Sequence, residues 1–249
     1  MLNFFKNIRK NYTITNNTRK HLRYALREIV LVVIGILIAI QINNLNEASK
    51  LKKQELKLLQ QISYDIEVTL EDIDNEIKNI KAKNSAMDTV IAALKNSNYK
   101  LRTSVFLAKQ HNKSFLNIIN SGYTRLLNTS NDLIQNDSIL NTIIELYEVD
   151  FDNTLRLQSL MHNQIDNNLF PLTNTFFEVA PEYKINFTNT DVTNTNLMKP
   201  INSISDNNNY KNILYQLKQN YNDRLKQLQF VVNKGNKLIK GIHLEIKNR

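Results

Sequence analysis

Histidine and carboxylate side chains are the groups in this sequence that could perform acid–base or metal chemistry. The chain has four histidines: His21, His111, His162 and His243. They are not spaced as metal ligands on one helix face, since no E-x-x-H, H-E-x-x-H or H-x-x-x-H pattern occurs. His162 and Asp166 are four residues apart and could pair on one helix. That spacing more often gives a surface hydrogen bond than half of a catalytic dyad.

Other catalytic signatures are missing from the sequence. It contains no cysteine, which excludes disulfides, thiolate metal sites and cysteine nucleophiles. It has no G-x-S-x-G, P-loop or G-x-G-x-x-G motif, and four glycines leave little material for a phosphate-binding loop. We therefore predict no catalytic residue, metal ligand or cofactor. A membrane-bound hydrolase remains an alternative if His111 or His162 meets carboxylates from another helix.

The densest charged feature is an acidic cluster, formed by Asp65, Glu67, Glu71, Asp72, Asp74 and Glu76. Apolar Ile66, Leu70, Ile73 and Ile77 run through it at helical spacing. This pattern predicts the solvated face of a helix. The alternative is a surface for a cation or a basic partner, although no EF-hand spacing is present.

The net charge of +9 is unevenly distributed. Basic residues dominate segments 1–28 and 211–249, and the segment between them is mildly acidic. A basic arm next to an apolar run is typical of the cytoplasmic flank of a membrane helix. We therefore expect no nucleic-acid partner.

A strongly apolar run lies close to the N-terminus. Residues 29–40 are all apolar or Gly, and weaker extensions bring the run to residues 24–42. A helix of this length spans about 28 Å, close to the thickness of a hydrocarbon core. A signal peptide fits less well because no A-x-A cleavage pattern follows, and a core helix fits less well because the run is apolar on all faces.

The flanks of this run predict its orientation. Basic residues precede it at Lys6, Arg9, Lys10, Arg19, Lys20, Arg23 and Arg27, and only Lys50, Lys52 and Lys53 follow closely. We therefore predict a basic cytoplasmic arm (1–23), a transmembrane helix (24–44) in the inner membrane and a periplasmic or extracytoplasmic domain (45–249).

Residues 26–47, LREIVLVVIGILIAIQINNLNE, carry a resemblance. They resemble the start of a large family of uncharacterised bacterial single-pass membrane proteins, whose pattern is roughly EI-LVVIGILIA-QINN-NE. Similarity is looser at Ser121-Gly122 and over residues 133–147, and Leu45 stands where the family often has Trp. The resemblance implies a location and an architecture, with no catalytic residues attached.

A small-xxx-small pair lies within the apolar run. Gly35 and Ala39 would let two helix backbones approach closely, and Glu28, Val32 and Ile42 share their face. This face predicts a helix–helix contact in a parallel homodimer. The alternative is that Gly and Ala are simply common in membrane helices, with Glu28 at the level of the lipid headgroups.

The fold class predicted is all-α. The N-terminal transmembrane helix continues into a long helix, which packs with further helices as an antiparallel extracytoplasmic bundle. The predicted segments are a heptad rod from about 59 to 96–98, a helix at 104–120 stopped by Ser121-Gly122, a helical region at 131–169 ended by Pro171, an irregular connection at 171–209 and a last helix at 209–246.

The last helix ends in basic residues: Lys234, Lys237, Lys240, Lys247 and Arg249. They could meet anionic lipid headgroups, but a solvated face with cations at a helix C-terminus is the simpler interpretation.

These features favour a membrane-anchored, non-catalytic helical module that acts through protein contacts. Its expected partners are the lipid bilayer, a second copy of the chain and an unidentified membrane or periplasmic protein. The alternative function is a sensor-like bundle that binds a small ligand between helices and signals through a partner protein.

Overall fold

The computed structural model describes residues 16–96, 113–129, 133–175 and 206–248. Within these ranges the chain forms helices and connecting loops, and no strand. The expected all-α class and the long apolar helix near the N-terminus are thus confirmed.

Six α-helices and two π-helical segments make up the described ranges. They are α1 (Asn16–Asn96), α2 (Ser121–Leu127), α3 (Asp137–Glu145), π1 (Leu146–Phe151), α4 (Asp152–Gln164), π2 (Ile165–Leu169), α5 (Phe170–Asn174) and α6 (Asn208–Lys247). The elements α3 to α5 follow one another without a gap.

The chain divides into two compact units, Met1–Glu55 and Leu56–Arg249, and α1 contributes residues to both. In the first unit, α1 carries the apolar run. Its most apolar stretch of 18 residues has a mean hydropathy of 2.4 and no buried residue. This helix is long and apolar enough to cross a membrane.

In the second unit, α1 and α6 run antiparallel. Three side-chain pairs set their register: Ser63 with His243, Asn84 with Asn222, and Asp88 with Lys218. Ser63 and Asp88 lie 25 residues apart along α1, and Lys218 and His243 lie 25 residues apart along α6. Equal steps in opposite directions keep the two apolar seams in contact over this whole length.

One apolar core fills the second unit. From α1 it receives the fully buried Leu58, Ile62, Ile66, Ile73 and Ile80, and from α6 Tyr210, Leu214, Leu228, Val231 and Ile242. Residues of α3 to π2, including Ile143, Phe151 and Ile165, complete it. The buried Ile62, Ile66, Ile73 and Ile80 recur at the heptad spacing predicted for the rod that begins near residue 59.

The pair Ser121-Gly122 was predicted to stop a helix, and this prediction is wrong. Residues 113–120 are not helical, and Ser121 begins α2. Residues 104–112 lie outside the described ranges. A Cβ added to Gly122 would lie 2.8 Å from Ile62 Cγ1 and 2.9 Å from the Ile62 backbone nitrogen. Glycine is required here by the close approach of α2 to α1.

Pro171 does not end the helical region either. It lies in α5, which follows π2 without a gap, and the helix continues to Asn174. Asn207 caps α6 by accepting a hydrogen bond from the Tyr210 N–H (3.0 Å), so residue 208 is already helical. The predicted irregular connection at 171–209 is thus too long at both ends, and residues 176–205 lie outside the described ranges.

Candidate functional site: a buried polar cluster

The face predicted for helix–helix contact lies in the first unit. Glu28, Val32, Gly35, Ala39 and Ile42 are all exposed on α1, at spacings of four and three residues that place them on one face. Val32 and Ile42 are 55% and 62% exposed. In the part of the chain that the structure describes, no heavy atom lies within 4 Å of a Cβ added to Gly35, so packing among those residues does not require this glycine.

The acidic cluster is only partly a solvated face. Glu67, Glu71, Asp72 and Asp74 are exposed, as predicted, whereas Asp65 and Glu76 are buried. The prediction is wrong for these two carboxylates because each meets hydrogen-bond donors from segments distant in the sequence. Buried carboxylates are stable in a protein when such donors satisfy them.

Asp65 anchors the start of α2. Its Oδ2 accepts hydrogen bonds from the Gly122 N–H (2.6 Å) and the Ser121 hydroxyl (2.8 Å), and its Oδ1 accepts one from the Gln61 amide (2.8 Å). Thr69 on the next turn of α1 accepts a hydrogen bond from the Ile119 N–H (3.0 Å). These contacts fix the non-helical segment before α2 onto α1.

Two tyrosines stack beside this anchor. The rings of Tyr123 and Tyr147 lie 4.5 Å apart and nearly parallel, and the Tyr147 hydroxyl donates to the Ile119 carbonyl (3.1 Å). Burial and the Asp65 carboxylate raise the pKa of Tyr147 above its ordinary value of 10.0. Tyr147 is therefore a neutral hydrogen-bond donor at physiological pH.

A second buried carboxylate, Glu76, pairs with Arg224 of α6. Glu76 Oε1 lies 3.1 Å from Arg224 Nη1, and the two side chains are 5% and 1% exposed. Arg224 Nη2 donates to the Gln158 side-chain oxygen (2.8 Å) on α4. The Glu76–Arg224 ion pair thus joins α1 to α6. The hydrogen bond from Arg224 to Gln158 extends this connection to α4.

Lys83 and Ser114 extend this buried polar cluster. The Ser114 hydroxyl donates to Glu76 Oε1 (2.7 Å), and Lys83 Nζ lies 3.2 Å from Ser114 Oγ. Lys83 also lies over the ring of Tyr221, 5.7 Å from its centroid. Burial and the nearby Arg224 lower the pKa of Lys83 despite the opposing charge of Glu76.

A serine next to a lysine can form a nucleophile and its base, so the direction of these hydrogen bonds matters. Here the Ser114 hydroxyl donates its hydrogen bond to Glu76, whose charge is balanced by Arg224. A nucleophilic serine would instead donate to the lysine. The arrangement therefore fixes the segment before α2 onto α1 through Ser114.

His162 does not have the partners of a catalytic histidine. The ring of His162 contacts the ring of Phe115 edge-on, with 4.9 Å between the centroids. Asp166 pairs with Lys113 at 2.7 Å and not with His162. His111 lies outside the described ranges. The condition set for a hydrolase is therefore not met by His162.

His243 is the histidine that does meet a carboxylate from another helix. Its Nε2 lies 3.2 Å from Ser63 Oγ and 3.7 Å from Glu67 Oε1. In a serine–histidine–acid triad the acid binds the other ring nitrogen. Since Ser63 and Glu67 approach the same nitrogen, the three residues do not form a triad. Among the described residues, no group of three or more His, Asp or Glu could hold a metal ion.

Lys234 is not part of a lipid-facing or solvated basic end. It lies 2.6 Å from Asp150 of π1 and 2.9 Å from Glu145 of α3. Burial opposes its charge, but the hydrogen bonds to these two carboxylates outweigh that effect and raise the pKa of Lys234. Lys237 and Lys240 are exposed, as predicted.

The polar cluster was missed in the sequence, although Arg224 left a detectable signal there. Leu217, Tyr221, Leu228 and Val231 continue the seam of α6 in steps of four, seven and three. Arg224 occupies the omitted seam position between Tyr221 and Leu228. A charged residue at a seam position indicates a buried partner on a facing helix.

Comparisons with known proteins give one match. A model described as "Family of unknown function (DUF6090)" matches residues 28–177, from within the apolar run of α1 to just beyond α5. No curated protein and no solved structure matches the chain. The match agrees with the resemblance to an uncharacterised family, and it includes Asp65, Glu76 and Ser121-Gly122. Because the matched range covers more than half of the sequence, this chain belongs to the DUF6090 family of unknown function.

Proposed function

We propose that this protein is a membrane-anchored, non-catalytic module whose Leu56–Arg249 unit is a helical bundle outside the cytoplasm and acts through protein contacts. The observation that carries the proposal is the exposure of the apolar run in α1. Ile29, Leu31, Val32, Leu37 and Ile42 are each at least half exposed, on all sides of the helix. Exposure of such an apolar surface to water is unfavourable. Lipid covers the surface, and the helix keeps its backbone hydrogen bonds.

The charge distribution supports the orientation of the anchor. Basic residues before the run are typical of the cytoplasmic side. A reporter enzyme that is active only outside the cytoplasm, fused after Arg249, tests this topology. Activity of the fusion supports it, and activity of a matched cytoplasmic reporter at the same position would reverse the orientation.

We further propose that the first contact of the module is with a second copy, through the face that contains Gly35. Gly in a helix interior is less favourable than Ala by about 1 kcal/mol. No contact from the described residues accounts for Gly35, while a close helix–helix approach in the membrane would.

The absence of cysteine makes this contact directly testable. A single cysteine introduced by Val32→Cys lies on the proposed face, and Leu37→Cys lies opposite to it, with similar exposure. Oxidation in native membranes should crosslink V32C and leave L37C monomeric, because a disulfide needs Cα atoms within about 7 Å. Equal crosslinking of the two variants would contradict a specific dimer.

A ligand-binding sensor is the second candidate, and an open groove of about 520 Å³ in the second unit favours it. Neutral side chains line the groove, among them Asn167, Asn168, Thr175 and Gln216, over the apolar Leu172 and Ile213. Its volume is within the range of small-molecule sites, and its chemistry suits a neutral polar ligand such as a sugar. A rise in the melting temperature with N-acetylglucosamine, absent in Asn168→Leu, would support this function.

A further inference from the structure

The groove of about 520 Å³ lies between α6 and the continuous helical segment formed by π2 and α5. Both of its walls present an apolar side chain between two polar ones, at steps of four and three residues. These side chains are Asn209, Ile213 and Gln216 on α6, and Asn168, Leu172 and Thr175 on the facing wall. The wall that contains Asn168 begins in π2, and π-helical segments are frequent at functional sites.

The two walls run in opposite directions. Gln158 of α4 binds Arg224 of α6, and Gln164, six residues further on, binds Asn220, four residues earlier on α6. Continued along π2 and α5, this antiparallel register places the polar side chains at the two ends of the groove and the apolar ones between them.

The groove is suited to a neutral ligand. Among the described residues, those that line it carry no charge. Asp166, the charged residue of π2, pairs with Lys113 and is not part of the lining. A charged ligand would therefore lose its hydration here without gaining a counter-ion.

A chain of hydrogen bonds between three side-chain amides leads to one end of the groove. Asn220 Nδ2 donates to Gln164 Oε1 (2.6 Å), and Gln164 Nε2 donates to Gln216 Oε1 (3.3 Å). A side-chain amide accepts through its oxygen and donates through its NH₂ group. Since the oxygen of Gln216 accepts from Gln164, Gln216 meets a ligand in the groove as a hydrogen-bond donor.

An apolar contact lies next to this donor. Ile213 is three residues before Gln216 on the same face of α6, and side chains at this spacing are neighbours. An acetamido group has a carbonyl oxygen that accepts a hydrogen bond and a methyl group on the same carbon. It can therefore use the donor and the apolar side chain together, whereas a hydroxyl group can use only the donor.

We propose that the groove binds an N-acetylated amino sugar, with Gln216 donating to the acetamido carbonyl and Ile213 in contact with the acetamido methyl group. Gln164 and Asn220 are positioning residues, which hold the amide of Gln216 in its donating orientation. The inference rests on the ligand-binding function named above as the second candidate, and it adds which part of the sugar is recognised and by which residue.

Two sugars that differ only at C2, N-acetylglucosamine and glucose, test this recognition. Their dissociation constants are measured by ligand-observed NMR with the full chain in lipid nanodiscs. N-acetylglucosamine should bind about tenfold more tightly, because it adds a buried methyl group and a directed hydrogen bond. Equal affinities would overturn the inference and leave the ligand-binding function in place, whereas binding of neither sugar would contradict both.

A matched pair of glutamine variants tests the donor. Gln216→Glu keeps the size of the side chain but removes its NH₂ group, and the preference for N-acetylglucosamine over glucose should fall by roughly fivefold to tenfold. Gln229→Glu introduces the same charge at an exposed position of the same helix and should keep the preference. An unchanged preference in Q216E, or an equal loss in Q229E, would refute the role of Gln216.

Asn220→Asp tests the positioning residues from outside the groove, since Asn220 is not part of the lining. The carboxylate accepts where Asn220 donates, so the amide of Gln164 must reverse, and Gln216 then presents its oxygen to the ligand. The preference for N-acetylglucosamine should fall to about the level of Q216E, with glucose binding retained. A merely structural role of Asn220 would weaken both sugars equally, and a preference kept at the wild-type level would contradict the proposed orientation of Gln216.

Discussion

Arg224 of α6 is paired in the interior with Glu76 of α1, 148 positions earlier in the chain, at 3.1 Å between Nη1 and Oε1. The pair lies among the apolar seams of both helices. Its hydrogen bonds extend to Gln158 of α4 and to Ser114. A buried ion pair of this kind adds little net stability, yet it strongly penalises the loss of one partner. It therefore selects one register for α1 and α6.

Loss of one partner should be severe. Glu76→Ala leaves the guanidinium of Arg224 buried without its carboxylate, and we expect the free energy of unfolding to fall by about 3–5 kcal/mol. The double variant Glu76→Leu with Arg224→Met should recover much of this loss, since apolar residues can replace a buried pair. Urea denaturation followed by circular dichroism of the detergent-solubilised chain measures both.

The more exposed pair Asp88–Lys218, between the same two helices, is the control. Asp88→Ala should change the free energy of unfolding by less than about 1 kcal/mol, as for other surface ion pairs. A similar loss in E76A and D88A would show that burial of the Glu76–Arg224 pair does not matter.

Gly122 should not tolerate a side chain. Gly122→Ala places a Cβ within 2.9 Å of the Ile62 backbone, and the α2 start must move away from α1. We expect a loss of about 1–3 kcal/mol and weaker amide protection at Gly122. Gly241→Ala on α6, where no atom of the described residues outside the local helix lies within 4 Å of the added Cβ, should instead stabilise by about 0.5–1 kcal/mol. A gain in both variants would remove the close approach as the reason for Gly122.

Asp65 should matter as a charge as well as a shape. Asp65→Asn keeps the size of the side chain but replaces the acceptor Oδ2, which two donors share, by a group that is neutral or itself a donor. Since hydrogen bonds to charged groups are worth about 1.5–3 kcal/mol, we expect a loss in that range. A thermal melt measures this loss. In the same experiment Glu71→Gln, at an exposed position of the same helix, should have no measurable effect.

Lys234 should give an alkaline dependence of stability. Because the pKa of Lys234 is raised in the folded state, the stabilisation that it provides is complete below pH 10.5. This stabilisation is lost as the pH rises through the higher pKa of the folded state. Lys234→Met should therefore destabilise by about 2 kcal/mol near neutral pH, with the difference from wild type shrinking above about pH 10.5. Lys237→Met, at an exposed lysine, is the matched control, and equal effects of the two variants would argue against the contacts with Asp150 and Glu145.

The apolar seams of α1 and α6 could be predicted from the spacing of apolar residues along each helix. This spacing is visible in the sequence because every residue of a seam faces the same core. Ser121-Gly122 was misread because its role depends on Asp65 and Ile62, more than 50 positions earlier. Pro171 was misread because the sequence does not reveal π2, the helical segment that runs directly into α5 and its proline. Burial of Asp65 and Glu76 depends on donors from distant segments, which no local pattern reveals.

The antiparallel register of α1 and α6 also has a consequence for biogenesis. The apolar seam of α1 is synthesised well before α6, which covers it and begins only at Asn208. About 150 residues separate the ends of the two helices. At a synthesis rate of about 5–20 residues per second, α6 is therefore completed roughly 8–30 s after α1. During that interval the nascent chain exposes Ile62, Ile66 and Ile73. Its yield in a cell should therefore depend on chaperones that shield apolar helices during synthesis.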